Sequence, residues 1–299
     1  MEIPPLLFQK DKCPVCGVVL TAKNQTKEHI FPQWMLKAYG LYDEHLILLN
    51  GTTIPYRTVT VPFCQKCNGT RFSMLESTVK AIMESGRIKR ADQYPIVIWL
   101  IKIYLGIRNL EQRLPMDRRV KNGDNILPDN FFEDQNQVMY TLLQTYHPET
   151  TFKGDFPWSF FTYKISSREP EDFWFADNFT YPFITIRLGQ TGIICLLTDG
   201  GGQYHSMRDM YNSLKRKALK GVQFRELAAR HLYQETLRDY IPQFMTVTGE
   251  DLPATVVNRT GVIRYKNFNI PDYHNCLEKF TGLDTNGYEL TDGAVLTTL

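Results

Sequence analysis

The segment Cys64-Gln65-Lys66-Cys67-Asn68 repeats the cysteine spacing of Cys13-Pro14-Val15-Cys16, and these two segments decide the fold of the N-terminal part of the chain. In each segment one tight turn can present two thiolates, and Gly17 relieves the backbone directly after the first pair. Four such thiolates make a tetrahedral site with zinc–sulfur distances of about 2.3 Å. The spacing therefore predicts a structural zinc ion bound by Cys13, Cys16, Cys64 and Cys67.

The start of the chain and its cysteine usage favour metal binding over disulfides. The first residues lack the basic segment, apolar run and cleavage site of a secretory signal, so we expect a cytoplasmic protein with reduced cysteines. Cys195 and Cys276 look like isolated structural thiols. The most apolar stretch, residues 96–107, is interrupted by Lys102 and is shorter than the roughly 20 residues that span a membrane. It therefore predicts a buried core helix and no membrane partner.

The residues between and after the two cysteine pairs have the patterns of short strands and helices. The 47 residues between Cys16 and Cys64 exceed the roughly 15 to 20 of a simple zinc ribbon. This insert, residues 17–63, is therefore long enough to hold a functional site of its own. Within this insert we expect a strand ending at Pro32, a helix over 33–39, a strand over 45–49, a hairpin turn at Asn50-Gly51 and a strand over 58–61. Apolar residues then recur at helical spacing, which predicts a helix over 68–84.

Beyond Gly86 the pattern changes to longer helices and strands. We expect helices over 96–110, 131–146, 206–219 and 222–237, and strands over 158–165, 183–188 and 192–197. The tail from Gln243 is rich in strand and turn residues, and we expect its polar end to be poorly ordered. The predicted fold class is α+β, with a zinc-containing domain over 1–86 and a larger α+β domain of unknown fold over 87–299.

Glu28, His29 and Asn68, which lie between or directly after the two cysteine pairs, have the chemistry of a hydrolytic site. Glu28 and His29 stand side by side before Pro32, and could supply one metal ligand and one general base. Adjacent side chains of a strand point to opposite faces, so both act at one site only if the strand end bends. Asn68, directly after Cys67, could be a hard oxygen ligand or the N-cap of the following helix. A structural, hydrogen-bonded role for His29 is the alternative.

The order Cys-x-x-Cys, Glu-His-Ile-Phe-Pro, Cys-x-x-Cys-Asn and helix resembles the HNH, or ββα-metal, endonuclease family over about residues 10–85. The resemblance is to its zinc-containing branch, which includes the phage endonuclease VII. It implies that Glu28 and Asn68 hold one catalytic divalent ion, Mg²⁺ or Mn²⁺, and that His29 is the general base. Two departures stand out: the acid is Glu28 where aspartate is usual, and the stretch between His29 and Cys64 is long for the minimal motif.

Several further residues are candidates for supporting roles. Glu76 follows Asn68 by about two helical turns and could orient His29 or a metal-bound water, or could be a solvent-exposed helix residue. Residues 1–90 are more basic than the whole chain, whose net charge is only +2. The candidates for phosphate contacts, which could also be a solvated basic face, are Lys66, Arg71, Arg87, Lys89 and Arg90.

The second domain carries no catalytic pattern. Lys215-Arg216-Lys217 with Lys220 could contact nucleic acid, although an ordinary solvated helix face explains them as well. Gly200-Gly201-Gly202 lacks the lysine of a phosphate-binding loop and predicts a turn. We expect residues 87–299 to select substrate, sense a signal or mediate assembly with a second copy or another protein.

The sequence thus predicts an endonuclease that hydrolyses DNA phosphodiester bonds, of a kind that would suit a prokaryotic antiviral defence system or a mobile element. Two alternatives stay open. One is a non-catalytic zinc module that binds nucleic acid or protein, in which Glu28, His29 and Asn68 are structural. The other is a nuclease that acts on RNA.

Overall fold

The computed structural model describes residues 11–112, 114–117, 119–120, 123–126, 133–249 and 252–282, and in it the chain divides into two compact units, residues 1–150 and 151–299. The first unit therefore extends beyond the predicted domain of residues 1–86. The physical reason is the apolar helix over Gln93–Glu111, which packs against the helix over Ser73–Glu84 and against the strand over Thr60–Cys64. The predicted polar end of the chain lies outside the described residues.

The first unit is built around a two-stranded ribbon. Strand β1 (Gln25–His29) is followed by helix α1 (Gln33–Ala38), the short hairpin of β2 (His45–Ile47) and β3 (Thr53–Pro55), and strand β4 (Thr60–Cys64). β4 returns antiparallel to β1, with Glu28 opposite Val61. The predicted Asn50-Gly51 turn is confirmed, since Gly51 has the positive φ of 73° that the turn needs.

The helices of the first unit follow the ribbon. A π-helical turn (Cys67–Phe72) leads directly into α2 (Ser73–Glu84), so the helix predicted over 68–84 is confirmed but begins with a wider turn. Helices α3 (Gln93–Glu111) and α4 (Glu133–Gln144) follow. Almost every side chain of α3 is buried, as the apolar run predicts, and Gly106 lets the helix approach Ile30 closely.

The second unit contains two sheets. The larger sheet has the order β10-β6-β9-β8-β7 and is antiparallel except for β10. Its strands are β6 (Ser159–Ile165), β7 (Phe173–Asn178), β8 (Phe183–Leu188), β9 (Thr191–Leu196) and β10 (Ala218–Leu219). The smaller sheet has the order β11-β12-β5, formed by β5 (Thr151–Lys153), β11 (Phe244–Gly249) and β12 (Leu252–Asn258). The aromatic-rich residues 156–183 contribute much of the larger sheet, and Phe161, Tyr163 and Phe183 are buried in its core.

The helices of the second unit are α5 (Gly202–Ser206), α6 (Arg208–Leu214), α7 (Gly221–Thr236) and α8 (Ile270–Thr281). The single helix predicted over 206–219 is wrong. The chain leaves the helix after Leu214, and Leu219 is buried in β10 beside β6, a pairing between distant parts of the chain that local periodicity does not reveal. The turn predicted at Gly200-Gly201-Gly202 is confirmed: the Asp199 side chain accepts hydrogen bonds from the backbone of Gly201 at 3.1 Å and of Gln203 at 2.8 Å.

Candidate metal centre and candidate active site

Two short turns bring the four cysteines together. In the first turn the Gly17 amide donates to the Cys13 carbonyl at 2.9 Å, and Gly17 has a φ of 70°. In the second turn the Cys67 amide donates to the Cys64 sulfur at 3.4 Å. The Cys64 amide donates across to the Cys13 sulfur at 3.5 Å, which joins the two turns. We call these two turns, residues 13–17 and 64–67, the zinc knuckles.

The four sulfur atoms have the spacing of a metal site. All of them lie within 4.8 Å of one another, and Cys16 Sγ and Cys64 Sγ are 3.6 Å apart. A tetrahedron with zinc–sulfur bonds of about 2.3 Å has sulfur–sulfur edges of about 3.8 Å, whereas a disulfide bond is about 2.05 Å long. Cys13, Cys64 and Cys67 are buried, so the site is closed on most sides. The cluster could hold a structural zinc ion, as predicted.

The thiols influence one another's ionisation. A hydrogen bond from Cys67 lowers the pKa of Cys13 to about 4, against the opposing effect of burial. The same hydrogen bond raises the pKa of Cys67, and burial adds to that increase. Without a cation, a negative charge on one sulfur therefore opposes charge on its neighbour. A bound Zn²⁺ removes this conflict because it stabilises several thiolates at once.

Glu28 lies inside the first unit and is ion-paired. Its side chain is only 8% exposed and contacts the ammonium group of Lys102, which is 1% exposed. Lys102 also contacts Glu76, which is 21% exposed. Burial raises the pKa of Glu28 and the Glu76 charge adds to this, while the Lys102 ammonium opposes both. Glu28 and Glu76 therefore share one buried cation that belongs to the chain itself.

His29 lies at the end of β1 and is partly exposed. Its backbone carbonyl accepts a hydrogen bond from Lys102 Nζ at 3.3 Å. Its Nδ1 atom is buried and has no hydrogen-bond partner among the described residues. Burial, and next the Lys102 charge, lower the pKa of the His29 imidazole, so the ring is neutral at neutral pH. A neutral imidazole with an unused ring nitrogen can accept a proton.

Asn68 contacts the strand that bears the other two residues. Its Nδ2 atom donates to Thr26 Oγ1 at 3.0 Å, and the Thr26 hydroxyl donates to the Phe63 carbonyl at 3.1 Å. Thr26 precedes Glu28 by two residues, so both side chains lie on the same face of β1. The Asn68 amide thus uses its nitrogen for positioning, which leaves its oxygen for another role. The alternative of an N-cap is not observed, because Asn68 lies within the π-helical turn.

The donor set fits a hard divalent cation. A carboxylate and an amide oxygen are ligands of the type that Mg²⁺ and Mn²⁺ prefer. Lys102 contacts one of the two carboxylate oxygens of Glu28, so the second oxygen can serve as a ligand. Glu28 and Asn68 are therefore the residues that could hold such an ion, with Glu76 nearby.

Lys102 is the site residue that sequence reasoning did not assign. The sequence contains a signal for it: a single lysine in the middle of an apolar helix must find an acidic partner, because an unpaired buried ammonium is costly. The pattern does not reveal which carboxylates are the partners, since they are 74 and 26 residues away along the chain.

The five basic candidates differ in their exposure. Arg71 is partly buried and donates to the Gln144 carbonyl at 2.8 Å, so it links α4 to the π-helical turn. The other four are exposed: Lys66, Arg87, Lys89 and Arg90. In the second unit Lys215, Arg216 and Lys217 are also exposed, in the turn before β10.

Comparisons of the chain with protein-family models, with curated proteins and with solved structures find no match in any of the three. The resemblance to HNH nucleases therefore depends on the motif residues and on the geometry of the zinc knuckles. Among the described residues, no helix has both the length and the apolar character needed to cross a membrane.

Proposed function

We propose that the protein is an HNH-type, metal-dependent endonuclease that hydrolyses phosphodiester bonds of DNA. One observation carries the proposal: Asn68, which directly follows a knuckle cysteine, is hydrogen-bonded to the strand that bears Glu28 and His29. In this proposal the zinc ion is structural, because its four sulfur ligands leave no open coordination position for substrate.

His29 is the proposed general base. Its lowered pKa keeps the imidazole neutral at neutral pH, and its buried Nδ1 has no partner among the described residues to compete for a proton. It would accept the proton of the water that attacks phosphorus. The hydrogen bond from Lys102 to its backbone carbonyl holds the end of β1 in place during this step.

Glu28 and Asn68 are the proposed ligands of the catalytic ion. When bound, Mg²⁺ or Mn²⁺ supplies Lewis-acid stabilisation of the charge on the phosphate and on the departing oxygen. Asn68 is oriented for this by Thr26, and Glu28 is oriented by Lys102. The exposed basic side chains of the first unit would contact the nucleic-acid backbone.

The proposal predicts that His29→Ala strongly slows cleavage while the protein keeps its zinc. Plasmid DNA is incubated with purified protein and Mg²⁺ or Mn²⁺, and we expect the variant to be slower by about 10²- to 10⁴-fold, because the general base is lost. His45→Ala is the matched control, since His45 is exposed on β2 and has no proposed role. Equal cleavage by His29→Ala and the wild type would refute the assignment.

The same assay separates DNA from RNA as substrate. We expect faster cleavage of DNA when DNA and RNA of the same sequence are compared at equal concentration. Faster cleavage of RNA would support the alternative of a nuclease that acts on RNA, and His29→Ala should slow that cleavage as well.

The buried ion pair between Lys102 and Glu28 favours a second candidate function, a zinc module that binds nucleic acid or protein without catalysis. In that case the ammonium is the permanent partner of Glu28 and no divalent ion enters. This candidate predicts that the zinc-loaded protein binds no Mn²⁺ and cleaves no nucleic acid.

A further inference from the structure

Lys102 is surrounded by oxygen atoms in a way that resembles a cation site. Its ammonium group contacts one carboxylate oxygen of Glu28, one of Glu76, and the His29 carbonyl oxygen at 3.3 Å. An ammonium has three N–H donors, so these three acceptors satisfy it. The ring of Phe72, itself buried, lies 5.7 Å from the ammonium and helps to keep water out.

Stability alone does not account for this cluster. Charged groups lose hydration when they are buried, and well-packed apolar residues in place of a buried ion triad are often as stable or more stable. The triad has two carboxylates and one ammonium, so its formal charge is negative. The arrangement is therefore better explained by a role in binding cations.

We propose that the Lys102 ammonium takes the place of a second divalent ion, so that the site binds one exchangeable ion and not two. In two-metal nuclease sites a carboxylate bridges cations about 3.5 to 4 Å apart. Glu28 would have the same bridging role here, holding Lys102 with one oxygen and the proposed ion with the other. Lys102 is thus a positioning residue, and this inference rests on the proposed function.

The proposal is tested by counting the Mn²⁺ ions bound to the full-length, zinc-loaded protein in equilibrium dialysis. We expect one Mn²⁺ per wild-type chain and two per Lys102→Met chain, because the methionine leaves the oxygen atoms of Glu28, Glu76 and the His29 carbonyl without a cation. Lys102→Arg keeps the charge and should bind one. The double variant Lys102→Met/Glu76→Gln lacks a ligand for the second ion and should also bind one.

Lys80→Met is the matched control, because Lys80 pairs with Glu84 at 3.6 Å on the exposed surface of α2. It should bind the same number of ions as the wild type. A Lys102→Met protein that binds the same number of ions as the wild type overturns the proposal. If the wild type binds none and Lys102→Met binds one, the Glu28–Asn68 ion site is refuted while the role of Lys102 stands.

Thermal unfolding covers the case in which Lys102→Met folds poorly. Mn²⁺ at about 100 times its dissociation constant should raise the Tm of this variant by about 5 °C or more beyond any increase in the wild type, since the ion replaces the missing ammonium. A variant whose Tm and folded fraction do not respond to Mn²⁺ overturns the proposal.

Discussion

Thr26 is the residue of strand β1 that contacts Asn68, the residue directly after the second zinc knuckle. Its hydroxyl hydrogen is donated to the Phe63 carbonyl, so its oxygen is left to accept from Asn68 Nδ2. These two hydrogen bonds require the nitrogen of the Asn68 amide, not its oxygen, to face Thr26. The proposed ion ligand is therefore oriented by a residue outside the recognised motif.

Replacing the hydroxyl tests this orientation. Thr26→Val keeps the shape of the side chain but removes the acceptor, and we expect the Mn²⁺ affinity to fall about five- to tenfold, the equivalent of one hydrogen bond of about 1 kcal/mol. The Mn²⁺ dependence of cleavage measures the change. Thr78→Val is the control, because Thr78 is exposed and its hydroxyl donates to the Met74 carbonyl of its own helix. Unchanged Mn²⁺ affinity in Thr26→Val would mean that Asn68 is oriented by other contacts.

At the scale of elements, helix α3 packs against strand β1 and the residues that follow it. It carries Lys102, and four residues later Gly106 lies against the buried side chain of Ile30. A Cβ atom on Gly106 would come within 2.9 Å of Ile30 Cγ1. The glycine thus sets the distance between α3 and the chain that follows β1.

Gly106→Ala is expected to destabilise the first unit by about 1 kcal/mol. Overpacking a core costs about 1 to 3 kcal/mol, and the better helix propensity of alanine offsets up to about 1 kcal/mol of this. Gly69→Ala is the control, since nothing lies within 4 Å of a Cβ atom there and its φ is ordinary. Urea unfolding of both variants gives the difference, and an unchanged or more stable Gly106→Ala would contradict the close packing.

The elements that could be predicted from the sequence are those with strong local patterns. Helix α3 and strand β8 match the predictions over 96–110 and 183–188, because long apolar runs specify buried elements. Strand β10 was not predictable, since two residues gain their structure from pairing with β6. Helix α8 was missed although its signals are present: Asn269 caps it by accepting from the Asp272 amide at 3.0 Å, and Gly282 ends it.

The candidate site was predictable where motif residues are close in sequence to a knuckle. The four cysteines come together as expected, and Asn68 reaches the strand of Glu28 and His29. The cluster of Lys102 with Glu28 and Glu76 could not be paired from the sequence, because it depends on how α3 packs against α2 and β1. The same packing explains why the first unit does not end at residue 86.

At the scale of the whole molecule, the chain divides into two compact units and all four cysteines lie in the first, so we expect the loss of zinc to affect the first unit alone. Because structural zinc contributes folding free energy, a chelator should increase deuterium uptake in β1, β4 and α2. Uptake in β6, β8 and β9 should stay unchanged. Hydrogen exchange with mass spectrometry measures both regions in one sample. Equal increases in both units would show that they unfold together.

The π-helical turn at Cys67–Phe72 has a consequence for insertions and deletions. A π turn holds one residue more than an α turn, and one residue corresponds to about 100° of helix rotation. Deleting a single residue after Asn68 would therefore let this turn close as an α turn and keep Glu76 facing Lys102, whereas deleting two would rotate α2 and move Glu76 away. The turn should tolerate the loss of one residue but not of two, and the β2–β3 hairpin should tolerate more variation in length.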